Sequence, residues 1–213
     1  MSRPRILVAD DHRIVAEGLR SLLEPAFELV AIVEDGRQLI DAAKRLAPDV
    51  IVADITMPQL NGLDAVEQLR QAGCKAKVVF LTMHKDATYA ARALRAGASG
   101  FVLKHSASAE LVTAIRESLV GRTYVTPAIA EAMERLLASR SNGADEGMLL
   151  THRQREVLQL FAEGRSAKEV ASVLHISVRT AESHKARIMS LLGATTTSDL
   201  VRCAIRHGLI API

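Results

Sequence analysis

Two hydrophobic periods alternate along the first 121 residues of the chain, and this alternation restricts the fold more than any other feature. Short continuous apolar runs are typical of buried strands, whereas apolar residues recurring at helical spacing indicate one face of a helix. The predicted strands are Ile6–Ala9, Leu29–Val33, Val50–Ala53, Val78–Leu81 and Phe101–Leu103. The predicted helices are Ile14–Leu23, Gln38–Leu46, Leu63–Gln71, Thr88–Ala96 and Ser108–Val120. This order predicts a doubly wound, five-stranded parallel α/β sheet, because parallel strands need long crossovers and these are right-handed.

Polar side chains stand at the ends of four of these strands. Asp10 and Asp11 end the first strand, Asp54 ends the third, Thr82 the fourth and Lys104 the fifth. Ligands of doubly wound sheets bind beyond the carboxyl ends of the strands. The sequence therefore predicts that three carboxylates, a hydroxyl and an ammonium group meet at one edge of the sheet.

Clustered carboxylates can bind a hard divalent cation, transfer protons or supply a nucleophile. The neighbouring Thr82 and Lys104 separate these options. An aspartate that attacks a phosphorylated donor needs its charge neutralised, which Lys104 and Mg²⁺ would do. The acyl phosphate needs hydrogen-bond donors, such as the Thr82 hydroxyl and Lys104. The pocket therefore favours phosphoryl transfer to Asp54.

The pattern changes after Gly121. Pro127–Ala138 is a predicted amphipathic helix, residues 139–147 are a predicted flexible linker, and the chain from Leu149 onward is predicted to be helical. Helix starts are indicated by Thr151, by Ser166 with Glu169 and by Ser177, with Gly193 as a stop signal and a last helix over Thr197–His207. The predicted domains are residues 1–121 and 149–213, joined by residues 122–148.

Basic residues are concentrated in the last of these segments. Residues 1–121 hold 15 Lys+Arg and 15 Asp+Glu, residues 122–148 hold 3 and 4, and residues 149–213 hold 9 and 5. The local net charges of 0, −1 and +4 add up to the +3 of the whole chain. This excess indicates nucleic acid as a partner of the last segment. Because only 3% of the residues are aromatic, base stacking is not the expected binding mode.

The two cysteines, Cys74 and Cys203, lack the spacing of a zinc or redox motif. We expect ordinary thiols in a reducing, cytoplasmic environment. The amino terminus lacks the apolar stretch of a secretion signal. No apolar run approaches the roughly 18 residues of a membrane span, so no membrane partner is expected.

Five separated motifs at the strand ends resemble the receiver domain of bacterial response regulators, over residues 5–121. They are Asp10-Asp11, Asp54-Ile-Thr-Met-Pro58, Gly62, Leu81-Thr82 and Phe101-Val-Leu-Lys104. The resemblance implies a flavodoxin-like fold in which Asp54 is the phospho-acceptor, assisted by Thr82 and Lys104. It also implies a Mg²⁺ site formed by Asp10, Asp11, Asp54 and the backbone carbonyl of Thr56.

The same resemblance implies a readout of phosphorylation. Thr82 and Phe101 look like the switch pair, in which the hydroxyl moves toward the phosphoryl group and the ring turns inward. Thr56 and His84 occupy positions that tune dephosphorylation in receivers. Two simpler interpretations stay open, namely that Phe101 is a plain core residue and that His84 is a solvated loop histidine.

Residues 149–210 resemble the LuxR-type DNA-binding domain, so the whole chain resembles the NarL/FixJ family of response regulators. The motifs are Leu150-Thr-His-Arg-Gln-Arg-Glu-Val-Leu158, Gly164-Arg-Ser-Ala-Lys-Glu-Val170, Ile176-Ser-Val-Arg-Thr-Ala-Glu-Ser-His184 and Leu192-Gly193. Val178–Leu192 would be the recognition helix, with Ala181, Ile188 and Leu191 facing the core. The candidate DNA contacts are Arg179, Thr180, Glu182, Ser183, His184, Lys185 and Arg187.

Dimerisation is implied by the same family. The last helix offers an apolar stripe of Leu200, Val201, Ala204 and Ile205 for it, so we expect a homodimer on palindromic half-sites of double-stranded DNA. Packing within the domain's own core is the alternative use of this stripe.

Two departures from the family pattern matter for recognition. Ala167 stands where Asn is common, so a capping or phosphate partner is expected to be missing there. Ala181-Glu182 stands where Val-Lys is common. A glutamate accepts from cytosine N4, so we predict a G·C-containing half-site. The alternative for Glu182 is a solvated residue at the edge of the groove.

Together these features predict a two-component response regulator. A sensor histidine kinase would phosphorylate Asp54 and thereby control dimerisation, DNA binding and transcription, with RNA polymerase as a further candidate partner. Aspartyl-phosphate phosphatases are the enzymatic alternative, but they need a second Asp where Thr56 stands. We therefore expect only self-phosphorylation and slow self-hydrolysis. The remaining alternative is a DNA-binding regulator whose receiver is a phosphorylation-independent interaction module.

Overall fold

The computed structural model describes residues 3–139 and 150–211, and these form two compact units. The first contains strands β1 (Arg5–Ala9), β2 (Glu28–Val33), β3 (Val50–Ala53), β4 (Lys77–Thr82), β5 (Gly100–Leu103) and β6 (Tyr124–Val125). Its helices are α1 (Arg13–Leu23), α2 (Gly36–Leu46), α3 (Gly62–Gln71), α4 (Ala87–Arg95), α5 (Ala107–Leu119) and α6 (Pro127–Ser139). The second unit contains α7 (His152–Ala162), α8 (Ala167–Leu174), α9 (Val178–Leu192) and α10 (Thr197–Arg206).

The sheet is parallel throughout, with strand order β2-β1-β3-β4-β5-β6. The doubly wound α/β prediction is confirmed, but the strand count of five is wrong. Tyr124 and Val125 pair with Gly100 and Phe101 and form a sixth strand at the edge of the sheet. Two residues are too few to show a strand period, so this strand gave no signal in the sequence.

Residues 122–139 belong to the first unit instead of forming a free connection. β6 leads directly into α6, which packs against α4 and buries Ile129. The predicted helix at Pro127–Ala138 is thus present as α6. Apart from Ser139, which ends α6, the predicted linker at residues 139–147 lies outside the described residues, as does Leu149.

The sheet carries apolar side chains on both faces, as expected for a parallel sheet between helix layers. All four residues of β3 are buried, α1 packs with α5, and α2 packs with α3. Local capping fixes where several helices begin. The Asp35, Asn61 and Asp86 side chains accept hydrogen bonds from first-turn N–H groups of α2, α3 and α4. These starts set the lengths of the loops at the carboxyl edge of the sheet.

The second unit is a helical domain with its own core. The predicted capping box of Ser166 and Glu169 is present at α8, and Gly193 ends α9 with a φ of 62°. Ala181 and Ile188 of α9 are buried as predicted, whereas Leu191 is 42% exposed and its inward placement was wrong. None of the helices within residues 3–139 and 150–211 is both long and apolar enough to cross a membrane.

Gly62 allows α3 to begin directly against the backbone of Asp54. A Cβ atom at this position would overlap the Asp54 carbonyl oxygen, and the Gly62 N–H donates to the Ile55 carbonyl at 2.7 Å. At Gly18, in α1, no atom apart from its chain neighbours and the surrounding helix backbone lies within 4 Å of the Cβ position. The two glycines therefore form a matched pair for substitution.

We predict that Gly62→Ala lowers the unfolding free energy of the first domain by about 1–3 kcal/mol, as overpacking does. Gly18→Ala should be neutral or stabilise the domain by up to about 1 kcal/mol, because alanine is the better helix former. Calorimetry of both variants measures this difference. Equal transition temperatures for the two variants would contradict the close approach at Gly62.

Candidate functional site

The carboxyl ends of three internal strands bring the predicted pocket residues together. Asp10 follows β1, Asp54 follows β3 and Lys104 follows β5. The Asp54 N–H donates to the Ala9 carbonyl at 2.9 Å, which ties the ends of two neighbouring strands. The pocket is thus built on the most buried part of the sheet.

Lys104 lies between two buried carboxylates. Its Nζ atom is 2.7 Å from Oδ2 of Asp54 and 2.8 Å from Oδ2 of Asp10. Asp10 is 1% exposed and Asp54 is 5% exposed. Two desolvated carboxylates repel each other, and the shared ammonium group offsets this repulsion.

Burial and ion pairing act in opposite directions on these groups. Burial raises the pKa of Asp54 above its ordinary value, and the Lys104 ammonium opposes this shift. Burial alone would lower the pKa of Lys104, but the carboxylates of Asp54 and Asp10 outweigh it and raise that pKa. Lys104 is therefore a permanent cation, and a second cation would further favour ionised Asp54.

The two oxygens of Asp54 have different partners. Oδ2 faces Lys104, whereas Oδ1 accepts from the Ile55 N–H at 2.6 Å and lies 3.4 Å from the Thr56 nitrogen. The carboxylate is therefore held in one orientation at the mouth of the pocket. The Thr56 N–H is thus a second backbone donor to this oxygen, at the long end of hydrogen-bond distance.

Thr82 ends β4, next to the strand that precedes Asp54, and His84 lies in the loop that follows. The His84 N–H donates to Oγ1 of the buried Thr82 at 3.2 Å, and Nε2 of His84 lies 2.7 Å from Oγ1 of Thr56. The His84 ring also stacks on Tyr89, with ring centroids 4.4 Å apart. His84 is half-buried, and this burial lowers its pKa. The interpretation of His84 as a solvated loop residue was therefore wrong.

Phe101 is fully buried in β5, in register with Phe80 of β4 and Val125 of β6. Its carbonyl accepts from the Thr126 N–H at 3.0 Å. The Thr126 hydroxyl in turn accepts from the Leu103 N–H at 3.3 Å and donates to Glu110 Oε2 at 2.6 Å. Thr126 also accepts the first helical hydrogen bond of α6, so it joins β5 to that helix.

The acidic residues fit a hard divalent cation. Asp10, Asp11, His12 and Asp54 each offer a ligand atom, and these atoms lie within 4.8 Å of one another. Mg²⁺ is commonly bound through one or two carboxylates plus waters and phosphate oxygens. The predicted carboxylate set is therefore brought together, and its charge is only partly neutralised by Lys104.

The second unit presents the predicted recognition helix with its polar face outward. Arg179, Thr180, Glu182, Ser183 and Arg187 are exposed, whereas His184 and Lys185 are half-buried. The Lys185 ammonium lies 4.7 Å from the centroid of the Phe161 ring, a cation–π distance. Phe161 therefore holds the Lys185 side chain on the side of α9 that faces α7.

The start of the recognition helix is fixed by its neighbours. The Ser177 side chain accepts from the Thr180 N–H at 3.0 Å, and Arg153 Nη2 donates to the Leu174 carbonyl at the end of α8 at 2.7 Å. The capping box of α8 is complete although Ala167 is its first residue. The expected loss of a capping partner was therefore wrong. Hydrogen bonds within this domain thus fix the end of α8 and the start of α9.

The predicted dimer stripe on α10 is only partly available. Leu200 and Ala204 are 1% and 0% exposed and belong to the core of their own domain, so these two predicted dimer contacts are corrected. Val201 also packs partly against that core, and Ile205 is half-buried. Helical spacing revealed an apolar face but not what covers it.

Both domains match known families. Residues 6–116 match the family described as "Response regulator receiver domain", and residues 148–204 match "Bacterial regulatory proteins, luxR family". The transcriptional regulatory protein MctR of Rhizobium johnstonii is 35% identical over 98% of this chain and 96% of its own length. The oxygen regulatory protein NreC of Staphylococcus aureus is 34% identical over 97% and 99%.

Solved structures agree with these families. The response regulator RcsB of Salmonella typhimurium is similar with a TM-score of 0.65 and 28% identity, covering 95% of this chain and 97% of that one. A LuxR-family response regulator from Aurantimonas reaches 0.62 and 38%, covering 64% and 99%. The chain is therefore a two-component response regulator. It belongs to the NarL/FixJ type, in which a receiver precedes a LuxR-type DNA-binding domain that regulates transcription.

Sequence reasoning missed two residues near the pocket. His12 belongs to the ligand cluster, and its position directly after two aspartates at a strand end was an available signal. Thr126 joins β5 to α6 through hydrogen bonds, but a threonine beside a two-residue strand carries no pattern that would single it out.

The position of Lys104 predicts opposite effects on two properties. Lys104→Met leaves the charges of Asp10 and Asp54 uncompensated, so Mg²⁺ affinity should rise. Phosphorylation by acetyl phosphate should slow by roughly tenfold or more, because a cation that stabilises the transferring group is lost. Titration calorimetry and phosphate-affinity electrophoresis measure the two quantities.

Lys77→Met is the matched control, since Lys77 is the first residue of β4 and lies at the end of that strand away from the pocket. It should change neither property. A parallel loss of Mg²⁺ affinity and phosphorylation in Lys104→Met would contradict the placement of Lys104 as a cation competing for the same carboxylates.

Proposed function

We propose that a sensor histidine kinase phosphorylates Asp54 and that this controls dimerisation and sequence-specific DNA binding by the second domain, in the cytoplasm. The observation that carries the proposal is the ion-paired pocket: Asp54, Asp10 and Lys104 are buried together at 2.7–2.8 Å, with the second carboxylate oxygen of Asp54 held by backbone amides. A buried charge cluster of this kind is costly as a structural feature alone. It suits a site where a charged group is bound.

The transfer itself needs positioning and charge neutralisation. A carboxylate oxygen of Asp54 bonds to the phosphorus of a phosphohistidine, the P–N bond breaks, and the imidazole leaves with the bonding electrons. Lys104 stays within contact of the new phosphoryl oxygens, and the Thr82 hydroxyl becomes a donor to them. Mg²⁺ held by Asp10, Asp11, Asp54 and the Thr56 carbonyl would supply further positive charge. Water then slowly hydrolyses the acyl phosphate, which returns the Asp54 carboxylate and releases inorganic phosphate, and no other substrate is turned over.

The signal leaves the pocket along β5 in this proposal. For its hydroxyl to reach the phosphoryl group, Thr82 gives up its hydrogen bond from the His84 N–H. The buried Phe101 ring then repacks behind Thr82. Because Phe101 and Leu103 are both hydrogen-bonded to Thr126, that change is passed to the first turn of α6.

DNA binding is assigned to the exposed face of α9. Arg179, Glu182 and Ser183 are placed to meet base edges, and Thr180, His184, Lys185 and Arg187 to meet phosphates. The similar protein RcsB has been solved with DNA and as dimers bound to DNA. This similarity supports a homodimer on palindromic half-sites, which RNA polymerase would read at a promoter. Ile205 is the remaining candidate of the α10 stripe for a dimer contact.

The phosphorylation step is tested with wild type and Asp54→Ala. With acetyl phosphate and Mg²⁺, wild type should give a shifted band in phosphate-affinity electrophoresis, and its DNA affinity should rise by about tenfold, a coupling of roughly 1.4 kcal/mol. Asp54→Ala should show neither change. A shifted band without any gain in DNA affinity would leave the receiver as a phosphorylation-independent interaction module.

The base preference of α9 is tested at Glu182. Glu182→Ala should lose roughly 1 kcal/mol of discrimination at one G·C pair of the half-site, because the carboxylate that accepts from cytosine N4 is gone. Randomised-site selection with wild type and the variant measures this. Lys168→Ala, at an exposed position of α8, is the control. Unchanged preference in Glu182→Ala would place Glu182 at the edge of the groove.

A further inference from the structure

His12 occupies the N-cap position of α1 but does not cap the helix. Its side chain makes no hydrogen bond to a first-turn N–H group, and its residue type is not among the favoured N-caps. Its backbone N–H instead donates to Oδ1 of Asp10 at 3.0 Å. The helix therefore gives no reason for an imidazole at this position.

The His12 ring is turned toward the acidic pocket. Its Nδ1 atom lies 2.9 Å from Oδ1 of Asp11 and 3.4 Å from Oδ1 of Asp10. The same cluster includes Asp54, and the four ligand atoms all lie within 4.8 Å of one another. The imidazole nitrogen thus stands at ligand-to-ligand distance from three carboxylates.

The donor set of the pocket therefore differs from that of an all-oxygen site. Mg²⁺ prefers oxygen ligands and keeps several of its waters. Imidazole nitrogen suits Co²⁺, Ni²⁺, Cu²⁺ and Zn²⁺, which also bind most N/O sites more tightly in the order of the first-row series. His12 is 63% exposed at its side chain, so the ring has room to adjust around an ion.

We infer that His12 is a metal-specificity residue, whose Nδ1 atom adds a nitrogen ligand to the Asp10, Asp11 and Asp54 site and gives it a preference for first-row transition ions over Mg²⁺. The inference rests on the proposed metal site but not on phosphoryl transfer. Transition ions and Mg²⁺ then compete for the pocket that holds the phospho-acceptor. Metal availability is thereby coupled to phosphorylation.

The test uses full-length protein without a histidine tag. His12→Asn removes the imidazole but supplies a favoured N-cap, so α1 is preserved. His105→Asn is the matched control, since His105 is exposed next to Lys104 and lies outside the cluster. Titration calorimetry with Mg²⁺ and Ni²⁺ gives the affinities, and pulsed electron paramagnetic resonance of the Mn²⁺-loaded protein detects a bound nitrogen.

We expect wild type and His105→Asn to show nitrogen coupling to Mn²⁺ and tighter binding of Ni²⁺ than of Mg²⁺. His12→Asn should lose the coupling and about tenfold or more of its Ni²⁺ affinity, with Mg²⁺ affinity unchanged. Equal losses for both ions, without nitrogen coupling in wild type, would mean that His12 only orients Asp11 and would overturn the inference. Coupling that persists in His12→Asn would overturn it as well.

Phosphorylation of the same proteins with acetyl phosphate and Mg²⁺ separates this inference from the proposed function. His105→Asn, which leaves the cluster intact, should be phosphorylated at Asp54 as wild type is. If wild type is not phosphorylated at all, the proposed function fails, while the nitrogen coupling still decides the role of His12.

Discussion

Lys104 shares its ammonium group between two carboxylates that the sheet has removed from water, and the remaining features of the pocket depend on this contact. Without the cation, Asp10 and Asp54 would be uncompensated like charges in a desolvated site. With it, an oxygen of each carboxylate lies 2.7–2.8 Å from a positive charge at Nζ. The pocket is then charged enough to attract a divalent cation and compact enough to orient Asp54.

Strand β5 carries Phe101 and ends directly before Lys104, so the charged pocket and the packing of the sheet depend on the same strand. β5 is not the edge of this sheet, because β6 covers it and leads into α6. Thr126 makes the junction, with hydrogen bonds to the backbone of Phe101 and Leu103. A rearrangement of β5 therefore has to be accommodated at the start of α6, which packs on α4.

The sequence predicted the pocket well because polar residues stand directly after apolar runs, and parallel strands bring such positions to one edge. It did not predict β6, since two residues show no period. Leu191 was misplaced for a geometric reason. At about 100° per residue, Ile188 and Leu192 fall within roughly 20° of Ala181 around the helix, whereas Leu191 lies about 80° away.

The prediction of Leu200 and Ala204 as dimer contacts was wrong for a different reason. An apolar helix face looks the same in sequence whether a partner or the domain's own core covers it, and here these two residues are in the core. The hydrogen bond between Thr56 and His84 could not be predicted from the sequence either. It joins two loops, and no local pattern specifies the conformations of their side chains. Positions were predictable, and contacts between loops were not.

Amide hydrogen exchange tests most directly whether the state of Asp54 is passed through β5 to Thr126. Exchange is compared with and without Mg²⁺ and beryllofluoride, a phosphoryl analogue, in wild type and in Asp54→Ala. We expect altered exchange at the Leu103 and Thr126 amides in wild type only, with β2 at the far edge of the sheet unchanged. Altered exchange at Ile55 and Thr56 with no change at Leu103 or Thr126 would contradict it.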